Sequence, residues 1–549
     1  MNAPRLELTW PNKDKFLLVP KDESGKPVWV SPDHPAAHEL RLTDFVDSFG
    51  EVNTVDPHSD NLLFQGDGID VLRVLSEVPE YRSKYRGKVK LVYIDPPFNT
   101  GQAFEHYDDW LEHSTWLSFM HDRLVILREL LSKDGSIWVH LDDSEVHRMR
   151  CLMDEVFGAE KFVATVVWQK IHARDNRASL STSQDYILVY AIDPAGWRNS
   201  RNLLPRSEAQ ASTYSNPDND PRGLWASDNF TAQVGGGNDR KSQIYTLTTP
   251  AGLSFNPPSG SCWRYTEDRY LEMLADNRVT FGADGKGRPR LKRFLSEVPD
   301  GVVPMTWWPH LEVGHNQEGK KEIKVLFPTL DPFSTPKPER FIERVIHIGS
   351  NPGDIVLDVF AGSGTTAAVA HKMGRRWVTS EISHSTLATF TKPRLEKVVA
   401  GSDPGGITEA VGWQGGGGFR TVTVAPSMYT TTKMGVMLND EATNGRFARA
   451  VAGQLGFEFE SDTSPFCGRR GRMRLAVYDG AVGLEEAREL LSLLNEQERV
   501  TVVAKVILPG TQELLSANSQ GSRIKKAPRD LLLSSSRSVR KSKPDEVTQ

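Results

Sequence analysis

Three strand-like segments in the first third of the chain each end at an acidic residue, and this repetition constrains the fold more than any other feature. The segments cover residues 61–67, 89–95 and 136–143, and the acids are Asp67, Asp95 and Asp142. Apolar residues at helical spacing lie between the last two segments, over residues 116–131. Alternating strands and helices predict a parallel α/β sheet, whose ligands bind beyond the carboxyl ends of the strands. We therefore expect these acids at the binding edge of the sheet.

The alternation is interrupted once and then resumes, which predicts an inserted module. Residues 194–335 are rich in Pro, Gly, Asn, Arg and Trp and have weak periodicity. Strand and helix patterns return after residue 336. The predicted order is an N-terminal extension (1–58), a first half of the α/β domain (59–193), the insert (194–335), a second half (336–400), a flexible glycine-rich linker (401–420), a small C-terminal α+β domain (421–533) and a disordered basic tail (534–549).

Composition narrows the class of protein. A net charge of -5 and a hydrophobic content of 38% are typical of a folded chain. The three cysteines, Cys151, Cys262 and Cys467, form no CxxC pair, so we predict neither a metal site nor a disulfide framework. The chain starts without a signal-peptide pattern, and no stretch reaches the roughly 20 apolar residues of a membrane span. A cytoplasmic protein without a membrane partner is the expectation.

A glycine loop at residues 358–366, Asp-Val-Phe-Ala-Gly-Ser-Gly-Thr-Thr, follows one predicted strand and opens a helix. Gly362 and Gly364 permit a tight turn and a close approach of the backbone to a ligand. The free N–H groups of the helix start suit an anionic group, and Glu381 at the end of the next strand could accept ribose hydroxyls. An NAD loop would need a third glycine and a P-loop would need a lysine, and both are missing. An ordinary strand–turn–helix connection is the alternative.

The segment Asp95-Pro96-Pro97-Phe98 is the more specific signal. Its prolines fix the backbone just beyond a strand end and hold a carboxylate, a carbonyl and an aromatic ring together. An exocyclic aromatic amine is a poor nucleophile because its lone pair is delocalised into the ring. Two acceptors on its hydrogens, the Asp95 carboxylate and the Pro96 carbonyl, would make it tetrahedral and reactive, and Phe98 would stack on a flipped base. The alternative is a loop in which the prolines only end a strand.

At these two segments the chain resembles the DNA methyltransferases that modify amino groups. The catalytic segment precedes the cofactor segment, which is the circularly permuted, beta-class order, and the modification subunits of type III restriction systems are the most similar group. The resemblance implies a Rossmann-like sheet, S-adenosyl-L-methionine as cofactor and target recognition by the insert. The implied catalytic residues are Asp95, Pro96, Pro97 and Phe98. The implied cofactor residues are Lys337, Pro338, Asp358, Phe360, Ala361, Gly362, Ser363, Gly364, Thr365, Thr366 and Glu381. Asp67 and Tyr186 are the implied neighbours of the target base.

Departures from the family pattern leave other functions open. Val359 stands where proline is commoner, and Ser183 stands where the family usually has histidine, so Tyr186 could belong to the core. An aspartate in the catalytic segment favours adenine N6, whereas cytosine N4 and RNA adenine are the alternatives. Cytosine C5 chemistry needs a thiolate that usually follows a proline, and no cysteine here does. An inactive DNA-binding module and an NAD-dependent enzyme are the further alternatives.

Double-stranded DNA is the expected partner. The basic run in the insert, which contains Lys286, Arg288, Arg290, Lys292 and Arg293, suits phosphate contacts, although a solvated loop would have the same composition. The family resemblance also suggests a homodimer and a separate restriction or phage-defence subunit.

Overall fold

The computed structural model describes residues 7–19, 26–32, 34, 37, 39–100, 103–104, 107–108, 111–234, 240–331, 333–432, 435–440, 442–460 and 465–531. The predicted basic tail, 534–549, lies outside these residues. The chain divides into two compact units, one formed by residues 203–304 and the other by the rest of the chain.

A ten-stranded sheet runs through the larger unit. Its strands in chain order are β1 (Thr43–Gly50), β2 (Asn61–Gln65), β3 (Val89–Ile94), β4 (Leu131–Leu141), β5 (Phe162–Gln169), β6 (Gln184–Ala191), β7 (Trp307–Trp308), β8 (Ile355–Asp358), β9 (Arg376–Glu381) and β10 (Gly418–Val424). In space they follow the order β7-β5-β6-β4-β3-β8-β9-β2-β10-β1. All neighbours are parallel except at β6 and at β1, which run antiparallel to their neighbours.

The centre of the sheet is buried on both faces, and most of its residues are apolar. Every residue of β3 is buried, and so is every residue of β8. Such continuous apolar runs are typical of parallel strands that are covered by helices on both sides. Strands β3 and β8 pair directly, with Val92 opposite Leu357. The two halves of the α/β domain therefore join at the middle of the sheet, on either side of the insert in sequence.

Helices cover this sheet. They are α1 (Gly68–Glu77), α2 (Pro79–Tyr85), α3 (His113–Leu130), α4 (Val146–Phe157), α5 (Pro194–Ser200), α6 (His310–Val313), α7 (Asn316–Leu326), α8 (Glu339–Gly349), α9 (Thr365–Lys372) and α10 (Lys392–Val399). The chain enters α10 through helical turns over His384–Thr386 and Leu387–Thr391. Among the described helices, none combines the length and the apolar character that crossing a membrane requires.

The predicted extension and linker both contribute strands to the sheet, which differs from the expectation of a flexible joint. Strand β1 comes from the extension and pairs with β10, which begins at Gly418. A Cβ atom at Gly418 would lie 2.4 Å from the Glu51 carbonyl oxygen, and His371 Nε2 lies 2.9 Å from the Gly416 carbonyl oxygen. These glycines allow close approach between backbones, so the run belongs to the packed structure.

The smaller unit, residues 203–304, is shorter than the predicted insert. It holds a three-stranded sheet of Trp225–Asn229, Arg290–Phe294 and Val279–Thr280, the hairpin pairs Thr231–Gln233 with Ser261–Trp263 and Leu247–Thr248 with Ser254–Phe255, and the helices Glu208–Ala211 and Glu267–Ala275. Aromatic residues such as Phe230, Trp263 and Tyr270 fill its core. The ends of the predicted insert belong to the larger unit, because β7 pairs with β5 there and α5 packs on β4.

The C-terminal part carries a second, five-stranded sheet in the order Glu458–Phe459, Gly468–Arg470, Met473–Val482, Arg499–Ile507 and Arg523–Lys526. The last three of these strands are parallel. Helices Asn444–Leu455, Leu484–Leu493 and Thr511–Asn518 accompany it, and a hairpin of Tyr429–Thr432 and Gly435–Leu438 precedes it. A short pairing of Phe16–Val19 with Val28–Val30 lies near the start of the chain.

The β3–β8 junction should carry a large share of the stability of the larger unit. Leu357 in β8 is fully buried. We expect Leu357→Ala to lower the free energy of unfolding by about 2 to 5 kcal/mol, because it removes buried methyl groups and leaves a cavity. The exposed Val325 of α7 provides the matched control, and Val325→Ala should cost less than about 0.5 kcal/mol. Thermal unfolding of the two variants checks this, and equal midpoints would contradict it.

Candidate functional site

The two predicted functional loops lie at one edge of the sheet. The loop 95–98 leaves the carboxyl end of β3, and the glycine loop leaves the carboxyl end of β8. Since β3 and β8 are parallel neighbours, their following loops are adjacent. The charge of Asp95 also reaches Asp358, where it contributes to a raised pKa. The structure thus brings together the two segments on which the sequence prediction depends.

The glycine loop is held by carboxylates through its backbone. Asp358 Oδ1 accepts a hydrogen bond from the Phe360 N–H at 2.9 Å, and Glu381 Oε2 accepts one from the Gly362 N–H at 2.9 Å. The other Glu381 oxygen accepts from the Ser383 N–H at 2.8 Å. Gly362 has a φ of 51° and Gly364 a φ of 77°, a left-handed conformation that favours glycine. The loop shape therefore requires these glycines.

Asp358 is the most strongly perturbed acid of the loop. Burial raises the pKa of Asp358 to about 7. Hydrogen bonds from Thr366 and from the Phe360 N–H oppose this rise, whereas the neighbouring charges of Asp95 and Glu381 add to it. Three carboxyl groups therefore share one edge of the sheet, and one of them holds a proton near neutral pH.

The start of α9 is anchored by a buried arginine. Arg394 donates to Thr365 Oγ1 at 2.8 Å and to Glu339 Oε1 at 2.8 Å. Ser363 Oγ lies 3.1 Å from the same Thr365 hydroxyl. Glu339 also accepts from Lys372 Nζ at 2.7 Å. Because Glu339 follows Lys337 and Pro338 directly, this network links that segment to the glycine loop.

Lys337 lies against the 95–98 loop. Its Nζ makes an ion pair with Asp95 Oδ2, and it sits 5.3 Å from the centroid of the Phe98 ring. The second oxygen, Asp95 Oδ1, is buried and has no hydrogen-bond partner among the described residues. Trp116 Nε1 donates to the Pro97 carbonyl at 2.8 Å and holds the loop from the other side. One oxygen of Asp95 is thus fixed by a cation, and the other still has its acceptor capacity.

Behind the loop lies a buried polar chain that the sequence reasoning missed. The hydroxyl of Tyr93 lies 2.9 Å from His140 Nδ1, and His140 Nε2 lies 3.1 Å from Asp185 Oδ2. Lys170 Nζ donates to Asp185 Oδ1 at 2.5 Å. The His140 ring also contacts the Phe98 ring, with 5.7 Å between the centroids. The only sequence signal was the position of these residues near the carboxyl ends of β3, β4 and β5 and the start of β6.

The protonation states in this chain follow from its partners. Burial raises the pKa of Tyr93 well above its ordinary value, so its hydroxyl donates to His140 Nδ1. Burial alone would raise the pKa of Asp185, but hydrogen bonding to His140 and the charge of Lys170 hold it below its ordinary value. Burial, followed by the charge of Lys337, lowers the pKa of His140. His140 is therefore neutral and carries its proton on Nε2.

The predicted neighbours of the target base occupy different surroundings. Asp67 caps α1 through the Ile69 N–H at 3.2 Å and forms an ion pair with Arg123. Arg123 lies over the Phe119 ring, and that ring contacts Phe360 of the glycine loop with 6.1 Å between centroids. Tyr186 lies in β6, where its hydroxyl accepts from Gln184 Nε2 at 3.1 Å. Asp67 thus adjoins the glycine loop.

The basic run of the smaller unit has mixed surroundings. Lys292 is only 3% exposed and pairs with Asp218, so the expectation that it faces DNA phosphates is wrong for this residue. Side chains alternate between the two faces of a strand, and in the Arg290–Phe294 strand the Lys292 side chain points inward. Its Nζ lies 5.2 Å from the centroid of the Trp225 ring. The exposed residues of the run are Lys292's strand neighbours Arg290 and Arg293 together with Arg288. Lys286 is exposed as well.

Comparison with known proteins places both loops in one sequence family. Residues 89–392, more than half of the chain, match the family of N6- and N4-methyltransferases described as DNA methylase. The match includes the 95–98 loop, the glycine loop and the module between them.

Individual relatives match over shorter fractions of their length. The type III restriction-modification enzyme StyLTI Mod subunit of Salmonella typhimurium is 35% identical over 343 residues, which is 56% of this chain and 49% of the relative. The type III restriction-modification enzyme EcoP15I Mod subunit of Escherichia coli is 28% identical over 386 residues, 59% of this chain and 58% of the relative. The chain therefore spans about half the length of these relatives. The PvuII DNA methyltransferase (cytosine-N4-specific) aligns with 13% identity and a TM-score of 0.34, over 64% of this chain and 90% of that chain.

The raised pKa of Asp358 predicts a pH-dependent stability. The folded protein keeps the Asp358 proton up to a pKa of about 7, whereas the unfolded chain loses it near 3.8. Its contribution to the free energy of unfolding therefore falls by up to about 1.4 kcal/mol per pH unit between about pH 4 and pH 7, and is constant above that. Asp358→Asn cannot titrate and should lose this contribution. Thermal unfolding from pH 5 to pH 8 measures it, and parallel curves for the two proteins would contradict the assignment.

Proposed function

Because the chain belongs to the DNA methylase family of N6- and N4-methyltransferases, we propose that it transfers a methyl group from S-adenosyl-L-methionine to the N6 amine of adenine in duplex DNA. The observation that carries the proposal is the state of Asp95. One of its oxygens is held by Lys337, and the other is buried with its acceptor capacity unused in the described structure. A buried acceptor without a partner is costly, and a donated N–H from a substrate would remove that cost.

The glycine loop suits the cofactor. Gly362 has a φ of 51°, which favours glycine, and a Cβ at this position would lie in van der Waals contact with the ring of Phe333, at 3.4 Å. The N–H groups at the start of α9 would hold the carboxylate of the cofactor. Glu381, whose carboxylate oxygens accept the Gly362 and Ser383 N–H groups, would also accept ribose hydroxyls. When bound, the cofactor supplies a methyl group on a positively charged sulfonium.

Three groups of the 95–98 loop would act on the target base. Asp95 Oδ1 accepts one hydrogen of the exocyclic amine, and the Pro96 carbonyl accepts the other. This pulls the nitrogen toward a tetrahedral geometry and localises its lone pair for attack. Phe98 stacks on the flipped base, and its ring is held from behind by His140. Lys337 holds the Asp95 carboxylate in position through their ion pair.

Adenine is favoured over cytosine N4 by the aspartate of the loop. In this proposal the adenine amine meets a full carboxylate charge, whereas a serine in that position would offer a neutral hydroxyl. The family contains both chemistries, so nucleoside analysis of the methylated product is the test. N4-methylcytosine as the only product would reject the adenine assignment.

The partners and the location of the chain belong to the same proposal. Two matched relatives are Mod subunits of type III restriction-modification enzymes, which supports a cytoplasmic protein that works with a restriction or defence subunit. A homodimer is proposed on the same resemblance. In the smaller unit, Lys286, Arg288, Arg290 and Arg293 are the proposed phosphate contacts.

Asp95→Ala tests the catalytic assignment. We expect the methylation rate to fall by at least about 100-fold, because an acceptor in a dry site is lost. Binding of S-adenosyl-L-methionine, measured by calorimetry, should stay within about threefold of the wild-type affinity. Asp134 offers a matched control. Its carboxylate is also ion-paired, 2.5 Å from Lys90 Nζ, but it lies near the start of β4, at the edge of the sheet opposite to Asp95. Unchanged turnover in Asp95→Ala, measured by incorporation of labelled methyl groups into duplex DNA, would remove the proposed role.

Gly362→Asp tests the cofactor loop. The substitution puts a side chain and a negative charge where the carboxylate of the cofactor is proposed to bind, so calorimetry should detect no binding. Gly353 controls for backbone strain, because its φ of 84° is also positive but nothing lies within 4 Å of its Cβ position. Gly353→Asp should bind the cofactor normally. Normal affinity in Gly362→Asp would mean that the loop binds something else.

A further inference from the structure

Three histidine rings form a cluster in the larger unit that the proposed chemistry does not use. His172 follows β5, His310 begins α6 and His315 immediately precedes α7. The ring centroid of His172 lies 5.3 Å from that of His310 and 5.1 Å from that of His315, and the third pair is 5.8 Å apart. His172 is exposed, and the other two are partly buried beneath it.

The cluster lies at the same edge of the sheet as Asp95. His172 and His310 follow the carboxyl ends of β5 and β7, which run parallel to β3. The Asn316 N–H, next to His315, donates to the Lys170 carbonyl at 3.1 Å. The side chain of Lys170 in turn pairs with Asp185, which holds His140 behind Phe98. A short chain of contacts therefore connects the cluster to the proposed target-base site.

Two carboxylates of the described residues lie near the cluster, and each is already paired with an arginine. Glu318 Oε2 lies 3.8 Å from His315 Nδ1, but both of its oxygens are engaged by Arg340, at 2.7 and 2.9 Å. Glu312 is likewise paired, with Arg344 at 2.7 Å. Among the described residues, His315 Nδ1 is buried without a hydrogen-bond partner.

Two further groups near the cluster are a neutral amide, Gln169, and a cation, Lys321. Gln169 Oε1 lies 2.8 Å from His310 Nδ1 and fixes that ring. Burial is the main cause that lowers the pKa of His315, and the charges of His172, His310 and Lys321 add to it, whereas Glu318 opposes. Protonation of the three histidines would therefore add more positive charge than the neighbouring carboxylates can neutralise. The part of the chain that the structure describes contains no group of three or more His, Cys, Asp or Glu side chains that could hold a metal ion.

We propose that His172, His310 and His315 form a binding site for a backbone phosphate of the DNA that presents the target base, and that the site takes up a proton when the phosphate binds. The proposal rests on the proposed function, because it requires duplex DNA at this edge of the sheet. Imidazolium groups donate charge-assisted hydrogen bonds to phosphate oxygens, and an unpaired imidazole changes its charge in the physiological pH range.

The sign of the pH effect follows from this coupling. A phosphate favours the protonated form of the cluster, so DNA affinity rises as the pH falls from about 8 to about 6. One additional phosphate contact changes the affinity by roughly tenfold near 0.1 M salt and steepens the slope of log Kd against log salt by about 0.9. We therefore expect the wild-type protein to bind about tenfold more tightly at the lower pH.

Fluorescence anisotropy of the full chain with a labelled duplex of mixed sequence tests this, at both pH values and over a range of salt. His172→Asn alters only the exposed ring and should bind with nearly the same Kd at the two pH values. His172→Arg restores a fixed charge and should bind at pH 8 about as tightly as the wild type at pH 6. His147, exposed on α4, is the control, and His147→Asn should keep the wild-type pH dependence.

Two results would overturn the inference, and they differ in what else they affect. If the wild type binds DNA equally well at both pH values, or if His172→Asn keeps the full pH dependence, the phosphate site is rejected while the proposed function stands. If the wild type binds no duplex DNA at either pH and transfers no methyl group to it, the proposed function fails as well.

Discussion

The direct pairing of β3 with β8 is the constraint on which the rest of the site depends. Parallel neighbours end at the same edge of a sheet, so the loops that follow them must meet. Each loop alone is short and offers few groups to a ligand. Their meeting puts a carboxylate beside a glycine loop, although Asp95 and Lys337 are 242 positions apart in sequence. The insert between the two halves can therefore vary in length without moving the site, because its ends return to the same sheet.

A buried network of charged side chains holds the second half of the site in position. Glu339 is held by Lys372 and Arg394, and Asp403 lies 2.6 Å from Lys372. Nearby, burial, followed by the charge of Glu339, raises the pKa of Glu322 to about 8. Burying so many charges adds little stability by itself, since desolvation offsets the attraction between them. Such a network does make other arrangements costly, because moving any member would leave a buried charge unpaired. It thereby fixes the segment with Lys337 relative to the glycine loop.

The sequence predicted the features that depend on local patterns and missed those that depend on contacts between segments far apart in the chain. The strands that precede Asp95 and Asp358, and the glycine turn, have strong local patterns, and the structure has them at those positions. The strand β10 was hidden in a glycine-rich run, because glycines that permit close backbone approach look the same as glycines that give flexibility. The sequence did not predict that Lys292 points inward, because a run of basic residues does not indicate which of its side chains face the core. The partner of Lys337 and the chain behind Phe98 involve residues far apart in sequence, so no short motif contains them.

The electrostatics of the edge suggest why a cationic ligand would suit it. Asp95, Asp358 and Glu381 all face this edge, and the mutual repulsion between their charges contributes to the raised pKa of Asp358. Lys337 forms an ion pair with Asp95. A ligand with a positive centre would reduce this repulsion, whereas an anionic dinucleotide would increase it. The charge balance of the site thus favours a sulfonium cofactor over NAD, independently of the spacing of the glycines.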